Sequence, residues 1–122
     1  MSATGILQAA SVITAVEGAL GSEIGTENAE YVQLYLTYAK GDETGVTVKM
    51  FAYRTTGGTA HQSRIWSESA GVNTAVAEEV YLTANGSYRY EWLLGAIDFI
   101  SFTEVADGGT PDGTLAASYS LL

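Results

Sequence analysis

The residues best suited to catalysis in this sequence are its one histidine, His61, and the nearby Ser63. A Ser-His-acid triad uses both residue types, but a triad is defined by contacts in space, so closeness in sequence carries no weight. The Gly-x-Ser-x-Gly pattern that presents a nucleophilic serine on a sharp turn is absent from the sequence. Because His61 follows a stretch rich in glycine and threonine, we interpret it as a solvent-facing loop residue.

Paired carboxylates are a second source of chemistry, because two acids flanking a glycosidic bond can hydrolyse it. Glu78 and Glu79 are neighbours on a predicted strand, so their side chains point to opposite faces. Glu78 would meet Glu91 across a hairpin that turns at residues 85–86. Arg89 lies on the same return strand, and we favour an ordinary cross-strand ion pair between Arg89 and a facing acid over catalysis.

Acidic loop residues are candidates for calcium binding, because calcium prefers oxygen ligands. They occur as Asp42 beside Glu43 and as Asp107 with Asp112. The ligand spacing of an EF-hand is absent, and aspartate next to glycine is common turn chemistry. The glycine-rich stretches lack the Lys-Ser/Thr of a phosphate-binding loop, and there is no cysteine. We therefore predict no metal, no cofactor and no enzymatic activity.

The charge balance restricts the possible partners. Fourteen acidic residues against five basic ones give a net charge of −9. This charge argues against binding the phosphate backbone of nucleic acid and against binding an anionic membrane surface. The apolar runs are too short to span a bilayer, and the N-terminus lacks the basic segment of a signal peptide. We expect no nucleic-acid partner and no membrane contact.

The clearest structural pattern lies between residues 31 and 53. Two alternating stretches, 31–39 and 46–53, are rich in β-branched and aromatic residues and flank a polar segment, 40–45. This pattern predicts a strand, a turn and a return strand, which together form a hairpin. The alternation predicts that the inward side chains are Val32, Leu34, Leu36, Tyr38, Val46, Val48, Met50 and Ala52. It predicts that the outward aromatic side chains are Tyr31, Tyr35, Phe51 and Tyr53.

The rest of the chain repeats short strand patterns separated by turns, with no useful helical period. Further strands are predicted at 10–16, 62–67, 74–83, 87–94, 97–105 and 114–122, with a short one near residue 24. Seven to eight strands at this spacing predict an all-β fold, an antiparallel β-sandwich or jelly roll. We predict a single domain with a core at 30–122. Residues 1–29 would form an N-terminal arm, a first strand and a loop packed on that core.

Three stretches together carry a family resemblance. The first, 30–44, is a strand that ends in Lys-Gly-Asp-Glu-Thr; the second, 97–102, is Ile-Asp-Phe-Ile-Ser-Phe; the third, 108–115, contains Gly-Thr-Pro-Asp-Gly-Thr. This arrangement resembles small β-sandwich virion proteins of tailed bacteriophages. The resemblance implies a structural subunit, most simply one that decorates and stabilises the capsid, with no catalytic residues. It implies the major capsid protein or other virion subunits as partners, and a location in virions assembled in the bacterial host cytoplasm.

The expected function is therefore that of a non-enzymatic virion subunit, present as a homo-oligomer on the particle. Aromatic side chains are enriched in protein interfaces, and an exposed apolar patch usually marks a partner. The predicted interface residues are Ile6, Leu7, Tyr31, Tyr35, Phe51 and Tyr53. Two alternatives stay open: a tail or head–tail component, and a carbohydrate-binding module in which Trp66 or Trp92 stacks on a sugar ring.

Overall fold

The computed structural model describes residues 3–53, 61–62, 64–69, 72–77, 79–94 and 97–122. Within these ranges the regular structure consists of twelve strands, and every strand pair is antiparallel. Across these ranges no helix is long and apolar enough to cross a membrane. The strands are β1 Ala3–Val12, β2 Gly18–Ala19, β3 Ile24–Gly25, β4 Tyr31–Ala39, β5 Gly45–Tyr53, β6 His61–Gln62, β7 Arg64–Ser69, β8 Val72–Ala77, β9 Glu79–Leu82, β10 Gly86–Leu93, β11 Phe99–Asp107 and β12 Thr114–Leu121.

Two sheets form the sandwich. Sheet A has the strand order β1-β12-β4-β10, and sheet B has the order β2-β11-β5-β6. The short strands β3 and β9 pair with β11 and β5 in sheet B, while β7 and β8 pair with each other. The predicted antiparallel β-sandwich is therefore confirmed. The described strands outnumber the expected seven to eight because the stretch 74–83 contributes to two strands with different partners, β8 beside β7 and β9 beside β5, and because three strands have two residues each.

The inner faces of the two sheets form one core. On β4 the burial alternates, as predicted, with Val32, Leu34, Leu36 and Tyr38 at most 2% exposed. Each fully buried Val, Leu, Ile or Phe side chain contributes about 1.5–3 kcal/mol relative to its exposed state. The core side chains that the other long strands of both sheets contribute are Val46, Val48, Met50, Trp92, Ile100, Phe102, Leu115, Ala117 and Leu121.

The predicted 31–53 hairpin is wrong, although the bounds of both strands are nearly right. β4 pairs with β10 and β12 in sheet A, whereas β5 pairs with β11, β6 and β9 in sheet B. The segment 40–44 therefore crosses from one sheet to the other. Alternation could not reveal this, because two strands bury the same side chains whether they are neighbours or face each other across the core. A two-residue turn specifies a hairpin far better than a connection of this length.

The hairpin predicted at residues 85–86 is also wrong, because β9 lies in sheet B and β10 in sheet A. A type I′ turn needs positive φ in its left-handed region at both central residues. Asn85 is not among the residues with positive φ, and the φ of Gly86, 157°, is far from the value of about 60–90° that this turn requires. Asn85 instead uses its side chain, whose Oδ1 accepts a hydrogen bond from the backbone N–H of Lys40 at 2.6 Å.

The first strand begins earlier than expected. β1 runs over Ala3–Val12 instead of 10–16, and it pairs with β12 at one edge of sheet A. Two register shifts interrupt this pairing, one between Ile6 and Gln8 and one between Gln8 and Ser11. The stretch before residue 10, expected as part of the N-terminal arm, is therefore an edge strand from residue 3 onward. The short strand predicted near residue 24 is present as β3.

Candidate functional site

The residues considered for catalysis are not brought together in the described part of the chain. Ser63, Glu78 and the side chain of His61 lie outside the described residues. Since β9 and β10 belong to different sheets, the hairpin that would place Glu78 opposite Glu91 does not form. Arg89 lies opposite Tyr35 of β4, so the cross-strand ion pair with an acid of that hairpin is also wrong. Within the described ranges, no three His, Cys, Asp or Glu side chains converge as a metal site.

Three connections between the sheets meet at one end of the sandwich. They are 40–44 between β4 and β5, 83–85 between β9 and β10, and 108–113 between β11 and β12. The strand registers force this meeting, because the end of β4 lies beside the starts of β10 and β12. The start of β5 likewise lies beside the ends of β9 and β11. We call these three segments the arch cap.

Glu43 is the centre of the arch cap, with a fully buried carboxylate at 0% exposure. The Tyr38 hydroxyl donates to Glu43 Oε2 at 2.5 Å, and the N–H of Gly41 donates to the same oxygen at 2.7 Å. The N–H of Gly113 donates to Oε1 at 2.8 Å. Burial alone would raise the pKa of Glu43, but the hydrogen bonds from Tyr38, Gly113 and Gly41 outweigh it and lower the pKa to about 2. The carboxylate is therefore held ionised.

Asp112 is a second carboxylate of the arch cap that accepts a backbone hydrogen bond, from the N–H of Asp42 to its Oδ1 at 2.6 Å. Beside it, the N–H of Thr44 donates to the backbone carbonyl oxygen of Asp107, the last residue of β11, at 2.7 Å. The two turn motifs of the family resemblance, near residues 40–44 and 108–114, thus bind each other. They close the end of the sandwich, which is a structural role. Both motifs are visible in the sequence, but their contact is not, because it spans about seventy residues.

Gly109 is required by the arch cap for two reasons, and we predict that Gly109→Ala costs at least about 2 kcal/mol. Its φ of +64° lies in the left-handed region, and an added Cβ would lie 2.3 Å from the Asp42 carbonyl oxygen. Urea denaturation measures the loss. The control is Gly18→Ala, where the nearest atom to the new Cβ is Thr14 Oγ1 at 3.6 Å. Equal stability of the two variants would contradict the assignment.

The predicted interface residues fall on two opposite surfaces of the sandwich. Tyr31 and Tyr35 lie on the outer face of sheet A, 38% and 36% exposed, together with Ile6 at 82%. Phe51 and Tyr53 lie half-buried on the outer face of sheet B. The structure therefore brings together three of these side chains and separates the aromatic pair of β5 from them. Their contact with a partner stays a prediction.

Two exposed leucines that sequence reasoning missed extend the surface around Tyr31. Leu93 on β10 lies opposite Tyr31 and is 65% exposed. On the other side, Tyr31 and Leu122 exchange backbone hydrogen bonds of 3.1 and 2.9 Å, and Leu122 is 45% exposed. Leu93 on β10, Tyr31 on β4 and Leu122, the residue after β12, thus form a row across one end of sheet A, which we call the apolar row. The sequence contained a signal for Leu93, because it lies between Trp92 and Leu94, which are inward, and alternation therefore places it outward.

The remaining predicted interface residue, Leu7, does not share this outer face. It is half-buried and packs against the core. Leu7 occupies the first register shift of β1, between Ile6 and Gln8. An extra residue in one strand re-aims the side chains that follow it. As a result, Gln8 reaches the interior, where its Nε2 donates to Glu104 Oε2 at 3.4 Å and to the Leu115 carbonyl oxygen at 3.3 Å.

Glu104 is the second buried carboxylate, 4% exposed on the inner face of β11. Burial raises the pKa of Glu104 to about 7, and the long hydrogen bond from Gln8 offsets this effect in part. The contrast with Glu43 lies in the number and length of donated hydrogen bonds. The sequence contained a signal for this residue, because the alternation of β11 places Glu104 on the same face as Ile100 and Phe102.

The tryptophan proposed for sugar stacking is part of the core. Trp92 is 8% exposed, and its ring centre lies 5.6 Å from that of Phe102. A stacking platform needs an exposed ring face, so the interpretation of Trp92 as a sugar-binding residue is wrong. The side chain of Trp66 lies outside the described residues.

Comparisons with known proteins show relationships of fold. No family model matches the sequence, and no curated protein matches it. The SPBc2 prophage-derived protein YomS has 11% identity and a TM-score of 0.61, covering 99% of this chain and 92% of that one. A subunit of Bacillus endospore appendages, described as disulfide-linked pili, has 13% identity and a TM-score of 0.56 over 98% and 87% of the chains. VP2 of the infectious bursal disease virus subviral particle has 12% identity and a TM-score of 0.58, covering 98% of this chain and 32% of that one.

Proposed function

We propose that this chain is a non-enzymatic structural subunit of a phage virion, most simply one that decorates the capsid and contacts the major capsid protein. The observation that carries the proposal is the correspondence of nearly the whole chain with nearly the whole of a prophage-derived protein, at a TM-score of 0.61. The pilus subunit and the viral particle protein support it, since both names describe subunits of assemblies.

The surface of sheet A supports a contact role. The apolar row, with Tyr35 and Ile6, places large exposed side chains on one sheet face. A groove of about 280 Å³ lies on this face, lined by Ile6, Gln8, Ala9, Tyr35, Thr37, Ala116, Ala117 and Ser118. Tyr35 is held in position by its own hydroxyl, which donates to Gln33 Oε1 at 2.6 Å. Rigid aromatic side chains with a polar tip are typical of protein interfaces.

Co-sedimentation with capsid shells that lack this subunit tests the proposal. The wild-type chain is expected to bind at a fixed copy number per shell. The double substitution Tyr31→Ser and Leu93→Ser removes the centre of the apolar row and should weaken binding by about ten-fold or more. The control is Val16→Ser, which removes an aliphatic side chain that is 78% exposed and lies outside sheet A.

Each outcome of this assay has a defined meaning. A wild-type chain that does not co-sediment with the shells would overturn the decoration role. It would favour a tail or head–tail component, which shares the fold but assembles elsewhere. Binding that is unchanged in the double variant would retain the decoration role but exclude the apolar row as the contact. In that case the half-buried pair Phe51 and Tyr53 on sheet B becomes the surface to alter.

A further inference from the structure

The described strands differ greatly in how well their free edges are protected. In sheet B, the outermost strands β2, β3 and β6 have two residues each, and β9 has four. In sheet A, β1 is long, but two register shifts break its regularity. Short strands and bulges are ordinary protections against edge-to-edge pairing. β10 lacks both, since its eight residues pair with β4 in an unbroken register, and its other side pairs with no described strand.

The direction of the backbone groups on β10 follows from one hydrogen bond. The N–H of Leu94 donates to the Glu30 carbonyl oxygen at 2.8 Å, toward the β4 side. In an antiparallel pair, successive residues alternate between bonding to one neighbour and bonding to the other. Hence the even-numbered residues of β10 bond to β4. The odd-numbered residues direct their N–H and C=O groups to the free edge; they are Ser87, Arg89, Glu91 and Leu93.

The side chains of these four residues give the edge a self-complementary charge pattern. Their side chains are exposed, and the two charged ones, Arg89 and Glu91, have opposite signs and stand two residues apart. If two β10 strands pair about a two-fold axis at Tyr90, Arg89 of each copy lies opposite Glu91 of the other. A register centred on Arg89 would place two arginines opposite each other, and one centred on Glu91 would place two glutamates together. Opposite charges stabilise directly facing positions and like charges destabilise them.

We propose that two copies of this chain pair antiparallel through β10, with the two-fold axis at Tyr90. Sheet A then continues across the pair as a single eight-stranded sheet. The four edge residues of each copy form four hydrogen-bonded pairs, giving about eight backbone hydrogen bonds. On the inner side, Tyr88 faces Trp92 of the second copy and Tyr90 faces its own counterpart. The pairing concerns the free chain, so it stands independently of the virion role.

Charge reversal tests the register directly. Arg89→Glu alone, or Glu91→Arg alone, sets like charges opposite each other twice, and each should weaken self-association by about ten-fold or more. The double variant Arg89→Glu, Glu91→Arg restores opposite charges and should dimerise like the wild type. An equal mixture of the two single variants should form a heterodimer, because every facing pair is then Glu with Arg. This mixture also shows that both single variants are folded.

Sedimentation velocity over a micromolar to millimolar series measures these states at about 0.15 M salt, which screens the repulsion between two acidic copies. Lys40→Glu is the matched control for Arg89→Glu, because both replace a basic residue by an acid and Lys40 lies at an exposed site in the arch cap. Amide exchange by NMR gives a second readout: at high concentration, residues 89, 91 and 93 should gain protection while 88, 90 and 92 stay protected throughout. A wild-type chain that is monomeric over the whole series, or a dimer that tolerates both single reversals, would overturn the proposal.

Discussion

Replacing Glu43 by alanine is expected to destabilise the fold by about 4 kcal/mol, the largest single effect that we predict. The substitution removes the acceptor of three hydrogen bonds in a site with no exposure to solvent. The Tyr38 hydroxyl and the N–H groups of Gly41 and Gly113 are then left buried without this partner. Each such group costs about 1–3 kcal/mol.

The acid sensitivity of the protein should follow the same carboxylate. The folded pKa of Glu43, about 2, lies below its ordinary 4.5, so the group stabilises the fold above pH 4.5. That contribution is lost as the pH falls from 4.5 toward 2, because protonation is then easier in the unfolded chain. The interval corresponds to about 3 kcal/mol. Unfolding in urea at a series of pH values measures it.

Two matched variants separate the charge from the hydrogen bonds. Glu43→Gln keeps an acceptor oxygen but has no ionisable group at this position. The part of the stability loss between pH 4.5 and 2 that Glu43 causes in the wild type should therefore be absent from this variant. Tyr38→Phe removes one donor and leaves the carboxylate with its two backbone partners, so it should cost about 1–2 kcal/mol. If Glu43→Gln retained the full wild-type loss of stability in acid, the assignment of that loss to Glu43 would be wrong.

For β4 and β5, the sequence predicts the strand bounds and the buried side chains but not the strand partners. The strand bounds and the inward side chains of both followed from alternation, because burial in a sheet depends on parity alone. Their partners did not follow, because the same parity suits a hairpin and a pair of facing strands. What decides between them is the arch cap, whose contacts join residues about seventy positions apart. No local pattern contains that information.

The predicted interface residues were also placed only in part from the sequence. Alternation correctly placed Tyr31 and Tyr35 at outward positions, and Ile6, which was chosen as a residue of the expected arm, is outward as well. Phe51 and Tyr53 were also outward, but the assumption of a hairpin placed them on the wrong sheet face. Leu7 was misplaced because residues 1–9 were taken as an arm, whereas they belong to β1, and adjacent residues of a strand point to opposite faces. Since Ile6 is outward, Leu7 is inward; the register shift that follows then turns Gln8 inward as well, and such a shift has no dependable signature in a single sequence.

The second large effect concerns Glu104 and runs in the opposite direction with pH. The folded pKa of Glu104, about 7, lies above its ordinary 4.5, so the buried protonated form is favoured by folding. Its stabilising contribution is complete below pH 4.5 and is lost as the pH rises from 4.5 to 7. The loss amounts to about 3 kcal/mol. Glu104→Gln cannot ionise and should therefore be more stable than the wild type at pH 8 by about this amount.

At pH 4 the Glu104→Gln variant and the wild type should differ by less than about 1 kcal/mol, since Glu104 of the wild type is then largely protonated in both the folded and unfolded chains. Glu30→Gln is the control, because it removes a carboxylate at an exposed position and should leave the slope between pH 4.5 and 7 unchanged. A Glu104→Gln variant that loses stability over this interval as steeply as the wild type would show that another group causes the loss.

The lowered pKa of Glu43 makes stability fall as the pH drops below 4.5, and the raised pKa of Glu104 makes it fall as the pH rises above 4.5. These two groups together place the maximum stability near pH 4.5. Substituting either residue should flatten one side of this profile and leave the other intact.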